Sequence, residues 1–440
     1  MKRLQTLLAL LLASKLLGCS PEGASPPIWT MPSAGSSGGG AGGSAGGGAG
    51  ASGASTLAGT GGVSAGVAGA AGGGAGGAAT AGLGGGGTSS SVEDPGTDGD
   101  GIFELTGPYQ AAPELEREDG VPEGTVVRFT IPSSTIYPDA PEREIAAYVP
   151  KQYVTGTPAP VMVIQDGTDF YGFDSMMPPV FDNLIAQGKL PPLVVVFAGN
   201  GGGDSVGSQR GLEYDTVSGR YAQWADQELL PAVAQATAQQ LPAQAVTFTK
   251  DPEGRGAIGG SSGGAASFSM VWWRPDLFRR VITFSGTYVN QVPKESPFPH
   301  GAWVYHDIDP YDAATPNGLI AAFCESESGS KTSSDVEPCD TPLSEAACLA
   351  VTGCRWNTAQ NKPLRVWLQA GSNDNGASGP PSSYRNFYLA NQRMAQALSA
   401  RGYHVHFDDC QGAGHVDQAP LRQTLPAALT WLWRGYKGGI

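Results

Sequence analysis

Two uninterrupted apolar runs, Val161-Met162-Val163-Ile164 and Leu193-Val194-Val195-Val196-Phe197, constrain this chain more than any other feature. A strand with one face in water alternates apolar and polar residues. A run without alternation must be covered on both faces, as in a parallel sheet with helices on either side. The surrounding sequence fits that requirement. Val180 to Gln187 has helical spacing between the runs, and Tyr221 to Gln239 has it beyond them, through Trp224, Leu229, Leu230 and Val233. Short strands are expected at Ala257-Ile258, Val281 to Phe284, Leu364 to Leu368 and Tyr403 to Phe407. Helices are expected over Ala265 to Trp273, Tyr384 to Ala400 and Leu421 to Trp433. Upstream, Thr125 to Ile131 alternates through Val127, Phe129 and Ile131, and Glu144 to Val149 reads as another strand. The sequence therefore predicts an α/β domain, with an antiparallel start and then a mostly parallel, doubly wound sheet.

The domain does not use the whole chain. The chain has 65 glycines, and most of the excess over ordinary usage lies before residue 90, in a Gly/Ala/Ser stretch that cannot bury enough apolar surface to offset chain entropy. We expect a signal peptide over residues 1–18, a flexible tether over 19–101, and a catalytic domain over 102–440. Lys2 and Arg3 precede the apolar run Leu7 to Leu12, which ends in Leu16-Leu17-Gly18-Cys19. A charged start, a short apolar core and a small residue at the cut describe a secretory leader. The last four residues resemble the bacterial lipobox, which implies cleavage before Cys19 and lipid on its sulfur. The expected location is the cell envelope, on the outer membrane, held through acyl chains. Export permits disulfides. Cys324, Cys339, Cys348 and Cys354 cluster in the long interval between Phe284 and Leu364, which suggests a stapled insertion at about 322–360. With Cys410 the count is odd, and the pairing stays open. A zinc site is disfavoured because no histidine lies inside the cluster. Acidic residues outnumber basic ones by 40 to 26 and no Lys/Arg cluster appears, so a phosphate-neutralising face for nucleic acid is not expected.

The chemistry centres on Gly259-Gly260-Ser261-Ser262-Gly263-Gly264. The pattern G-x-S-x-G presents a serine on a sharp strand-to-helix turn, but it also occurs around Ser37, Ser44, Ser64 and Ser205, so context decides. Ser261 follows a strand and leads into small residues that let a helix approach closely. Ser205 also follows a strand, but continues as polar loop. A serine hydroxyl needs a base to take its proton, and the base needs a carboxylate to hold it. Such groups arrive in the order Ser, Asp or Glu, His, each after a strand. Asp374 follows Leu364 to Leu368, and His415 follows Tyr403 to Phe407 in a glycine-flanked loop. Asp408 and Asp409 are rival acids, and Ser262 also satisfies the motif through Gly260 and Gly264. An oxyanion needs two fixed donors. The Ser262 N–H is one; Gln165-Asp166-Gly167-Thr168 offers Gly167 or Thr168 for the other, or is a plain Asp-Gly turn.

From about Pro108 to Gly435 the chain resembles the enterochelin-esterase-like, esterase-D-type esterases of exported bacterial proteins. The likeness rests on Gly120-Val121-Pro122-Glu123-Gly124, Tyr148-Val149-Pro150, Gln165-Asp166-Gly167, Glu213-Tyr214-Asp215, Arg274-Pro275-Asp276, Gly371-Ser372-Asn373-Asp374, Gly414-His415 and Trp431-Leu432-Trp433. It implies an α/β-hydrolase fold, with the nucleophile fourteen positions before Pro275, hence Ser261. It also implies roles for Asp374 and His415, and places Arg210 and Glu213 near the substrate pocket. The implied activity is a cofactor-free and metal-free serine esterase acting on a carbohydrate-linked or siderophore-like ester. Acyl transfer on the same triad and a non-catalytic binding domain are the alternatives. The cysteine-bearing insertion departs from the family pattern and is expected to form a lid or remake the pocket.

Overall fold

A computed structural model of the chain describes residues 95–438, apart from residues 205, 294, 299, 308–317 and 329–336. The expected signal peptide, the lipidation cysteine Cys19 and all of the tether before residue 95 lie outside the described residues. Nine strands form the main sheet among those described: β1 (Gly101–Thr106), β2 (Thr125–Ile131), β3 (Arg143–Val149), β4 (Val161–Gln165), β5 (Val194–Ala198), β6 (Arg255–Gly260), β7 (Arg280–Phe284), β8 (Arg365–Gly371) and β9 (His404–Gln411). Their order across the sheet is β2-β3-β5-β4-β6-β7-β8-β9-β1. β3 is antiparallel to both β2 and β5, and every other pair is parallel. This is the mostly parallel sheet that the apolar runs predict, in the α/β-hydrolase arrangement that the resemblance implies.

Burial explains why those runs do not alternate. Every residue of β4, β5, β6 and β7 is buried. One face packs against α3 (Arg220–Trp224), α4 (Leu230–Gln240), α5 (Ser262–Trp273) and α6 (Phe387–Ala400), through Trp224, Val233, Phe268 and Leu398. The other packs against α1 (Pro178–Ala186) and α7 (Gln418–Trp433), through Phe181, Leu184, Leu425 and Leu429. A short α2 (Gln209–Tyr214) precedes α3. The expected single helix over Tyr221 to Gln239 is divided by a π-turn at Ala225–Leu229. Pro231 at the start of α4 has no N–H to continue an α-helical ladder.

α6 starts at Phe387 and α7 at Gln418 rather than at Tyr384 and Leu421, and the sheet edge also differs from the sequence reading. β1 was not foreseen, and β9 runs on past Phe407 to Gln411 because β1 supplies its partners from His406 to Gln411. The folded region also starts before residue 102. His406 Nδ1 lies 2.6 Å from the Gly99 carbonyl, His404 Nδ1 lies 2.8 Å from Asp100, and Arg434 donates to the carbonyls of Gly96 and Asp98.

The cysteine interval forms a small antiparallel pair, Phe323–Ser326 with Cys354–Asn357, and a helical turn at Glu345–Leu349. Disulfides join Cys324 to Cys348 and Cys339 to Cys354. Cys410 is free and buried in β9, where burial pushes its thiol pKa up. The insertion is not a lid among the described residues. Phe323 packs on Trp272, in the last turn of α5, with ring centroids 5.5 Å apart, and Lys362 caps both rings. The first turn of that helix faces the candidate site, so an α-helical rise of about 1.5 Å per residue puts the module roughly 15 Å away from it.

Candidate active site

β6 ends at Gly260, α5 begins at Ser262, and the residue between them carries the turn. Ser261 has φ 55° and ψ −127°, a region non-glycine residues rarely adopt. The surrounding backbone holds it there. Ser261 N–H donates to the Phe284 carbonyl at 2.9 Å, and its own carbonyl accepts from Gly264 at 2.9 Å and Thr287 at 3.0 Å. Two glycines make the turn possible. A Cβ on Gly259 would collide with the backbone of Gly263, and one on Gly264 would sit 3.1 Å from both the Gly259 carbonyl oxygen and the Gly286 Cα. The helix thus approaches β6 and β7 as closely as backbone allows.

The loops after β8 and β9 converge on this turn. Ser372 N–H donates to the Cys410 carbonyl and Asn373 N–H to the Ala413 carbonyl, both at 2.9 Å, which binds one loop to the other. His415 is fixed from its C-terminal side. Val416 takes φ 45°, unusual for a β-branched residue, and donates its N–H to Ser285 Oγ at 3.0 Å. Asp417 accepts from Gly414 and, as the cap of α7, from Ala419, both at 3.0 Å. The result is a hydrogen-bonded line. His415 Nε2 lies 2.9 Å from Ser261 Oγ, and its Nδ1 lies 2.5 Å from Asp374 Oδ1. Asp374 is buried, and Oδ1 also accepts from the Asn375 N–H at 2.6 Å. Phe387 stands edge-on to the imidazole, 5.0 Å between centroids.

The competing residues are engaged elsewhere. Asp408 and Asp409 lie within β9, not in its loop. Asp408 takes His406 Nε2 at 3.0 Å, and Asp409 takes the Tyr388 hydroxyl at 2.8 Å. Ser262 is buried at the first position of α5. Ser205 lies outside the described residues.

Two expectations for the surroundings, Gly167 and Glu213, need correction. Gly167 cannot supply an oxyanion donor, because its N–H is committed to the Ala198 carbonyl of β5 at 3.0 Å. The Thr168 hydroxyl turns to the Glu144 carbonyl at 3.4 Å, and its N–H has no acceptor among the described residues. Glu213 does not line the cavity; both its oxygens are taken by Arg143 at 2.8 Å, in a fully buried pair. Arg210 does line it, but as half of another buried pair. Its Nε and NH2 reach Asp166 at 2.9 and 2.6 Å, and its NH1 reaches the Asp204 carbonyl at 2.5 Å. Asp166 has φ 54° and also accepts from Asn200 Nδ2 at 3.0 Å. The Asp-Gly turn is therefore clamped by its own carboxylate.

A cavity of about 640 Å³ opens over Ser261 and His415. Sequence reasoning missed several of its walls: Tyr171, Gln291, Arg385 and Phe387. The Tyr171 ring packs against Gly260, beside Ser261, and burial pushes its phenol up to about 12, so it stays protonated at neutral pH. Its position six residues beyond Gln165, at the end of β4, was the one available signal. Gln291 sits in a loop with no periodicity to read, and Arg385, expected inside the helix from Tyr384, lies in the turn before α6, which starts at Phe387.

A sequence profile of the family described as "Putative esterase" matches residues 140–432. Similar solved structures include the enterobactin esterase of Shigella flexneri, at 17% identity and TM-score 0.43, covering 74% of this chain and 63% of that one. They also include the ferric enterobactin esterase of Salmonella typhimurium, at 19% identity and TM-score 0.45, over 71% and 59% of the two chains. The ferulic acid esterase of Anaeromyces mucronatus shows 16% identity and TM-score 0.45, over 74% and 99%. The chain thus spans less than two thirds of the length of these two enterobactin esterases. No curated protein sequence matches it. The family match covers 293 of the 440 residues, spans every strand from β3 to β9, and includes Ser261, Asp374 and His415: the chain belongs to the putative esterase family.

Proposed function

We propose that this chain is a serine carboxylic-ester hydrolase that works through an acyl-enzyme. The observation that carries the reading is the line Ser261 Oγ–His415 Nε2, His415 Nδ1–Asp374 Oδ1, at 2.9 and 2.5 Å, at the floor of an open cavity. In this scheme Ser261 Oγ attacks the ester carbonyl while His415 Nε2 takes its proton. Asp374 holds the Nδ1–H tautomer and stabilises the imidazolium. The oxyanion meets the Ser262 N–H, which the first turn of α5 leaves unused. The Thr168 N–H and the Tyr171 hydroxyl are the donors on the β4 side of the nucleophile. Collapse of the intermediate breaks the C–O bond, and His415 returns the proton to the departing alcohol. Water then repeats the sequence on the acyl-enzyme and releases the acid. No cofactor takes part. The substrate class we assign is a carbohydrate-linked or siderophore-like ester, met at the cell envelope by a protein anchored through lipid on Cys19.

A fluorophosphonate probe tests the central claim. Labelling should be present in the parent and in Ser205→Ala, and absent in Ser261→Ala, with turnover of a simple acetyl ester falling by about 10⁴-fold or more in that variant. Equal labelling of Ser261→Ala and parent would overturn the assignment.

A further inference from the structure

One wall of the cavity is built from side chains that the hydrolytic scheme leaves idle. Gln291 lies between the buried Asp215 and the cavity. Its Nε2 donates to Asp215 Oδ2 at 2.9 Å and lies 3.4 Å from Ser262 Oγ. A carboxylate accepts and does not donate, so the amide nitrogen must face Asp215 and the amide oxygen must face outward. Burial raises the Asp215 pKa to about 6, which leaves it ionised at neutral pH and keeps that orientation fixed. The outward oxygen, Oε1, accepts from Arg385 NH2 at 3.4 Å.

Arg385 is exposed at the cavity lip, but its backbone is held on both sides. Phe387 N–H donates to the Asn375 carbonyl at 3.0 Å, and Asn290 N–H to the Tyr384 carbonyl at 2.8 Å. The Asn386 amide reaches the carbonyls of Ala377 and Gly379 at 3.4 Å. The same short stretch carries Phe387, which touches His415, so the guanidinium is delivered to the wall beside the reacting groups. No carboxylate lies within ion-pair distance of it among the described residues. Guanidinium has five N–H donors, and Gln291 occupies one. The other cation on the lining, Arg210, is neutralised by Asp166. The acidic residue on the lining, Asp204, belongs to the Arg210 side, where its carbonyl receives that guanidinium.

We infer that Arg385 is a specificity-determining residue that binds an anionic substituent, a carboxylate or phosphate, on the ester substrate. The inference rests on the serine-hydrolase reading above and narrows its substrate class. Gln291, locked by Asp215, holds one edge of the guanidinium and leaves the remaining donors toward the cavity, the geometry an oxyanion takes in two parallel N–H···O bonds.

The test uses the full chain and matched pairs of p-nitrophenyl esters of equal acyl length, one ending in a carboxylate and one in its methyl ester. The parent should prefer the anionic ester by about tenfold in kcat/KM, mainly through KM, and added salt should erode that preference. Arg385→Gln should abolish the preference, Arg385→Lys should keep part of it, and Arg385→Glu should reverse it. Hydrolysis of the neutral ester with no anionic preference overturns the inference and leaves the hydrolase reading intact, as does a preference that survives Arg385→Gln. Hydrolysis of neither ester, with no probe labelling of Ser261, overturns both.

Discussion

Replacing Arg143 by methionine separates the structural role of Glu213 from the pocket role that its sequence position suggests. The two side chains are 1% and 0% exposed, joined by two 2.8 Å hydrogen bonds, and the guanidinium also lies 4.5 Å from the centre of the Trp224 ring. Methionine keeps the packing of the stem but removes the charge. Glu213 would then be a buried carboxylate with only Gln209 Nε2, at 2.9 Å, to hydrogen-bond it. Breaking a buried pair from one side costs about 3–5 kcal/mol, a large share of the 5–15 kcal/mol that holds a typical domain. With a urea slope of about 3 kcal/mol/M, the unfolding midpoint should fall by roughly 1–2 M. Removing both charges, in Arg143→Met/Glu213→Leu, should restore most of the loss, because an apolar pair of similar volume costs little in such a site. Urea unfolding followed by far-UV circular dichroism reads the stability, and steady-state hydrolysis of a soluble ester reads the site. The folded fraction of every variant should turn over at the parent's rate. A loss below about 1 kcal/mol in Arg143→Met would refute the energetic reasoning. A stable double variant with turnover reduced tenfold would refute the placement of Glu213 outside the site.

Two further predictions follow from the turn and from the buried acid behind it. Gly264→Ala should destabilise by about 1–3 kcal/mol and lower kcat more than KM, because its Cβ would meet the Gly259 carbonyl oxygen and the Gly286 Cα at 3.1 Å and push α5 off the sheet; a thermal melt and kinetics equal to the parent's would contradict this. Asp215 has a folded pKa raised by burial from 3.8 to about 6, so the fold binds its proton more tightly than the unfolded chain does. Its contribution is fully present below pH 4, is lost as pH rises toward 6, and is flat above; the loss is about 3 kcal/mol for a shift of this size. Asp215→Asn should remove that fall, measured as the difference between the two proteins' urea midpoints across pH 4 to 7, and parallel profiles would count against it.

The sequence by itself determined the sheet, and for a local reason. Continuous apolar runs at β4 and β5, alternation at β2, and helical spacing at α1 and α6 are short-range patterns that any chain folding on that scaffold must display. Chain order did the same for the candidate site, since Ser261, Asp374 and His415 each follow a strand whose carboxyl end must point to one edge. The tertiary structure decided what no local pattern encodes. β1 could not be read because the Gly101–Thr106 strand is mostly exposed and exists only through its pairing with β9; that same pairing carries Asp408 and Asp409 into the strand and leaves Asp374 to meet His415. Gly167 lost its expected role to a carbonyl on β5, and Glu213 to an arginine seventy residues away. Arg385 and Gln291 are 94 positions apart, one from the turn before α6 that the sequence read as helix and one from a loop without periodicity, yet they share one wall beside Ser261. Periodicity reports which face of an element is buried, whereas the identity of what covers it depends on loop convergence, set only when the whole sheet has formed.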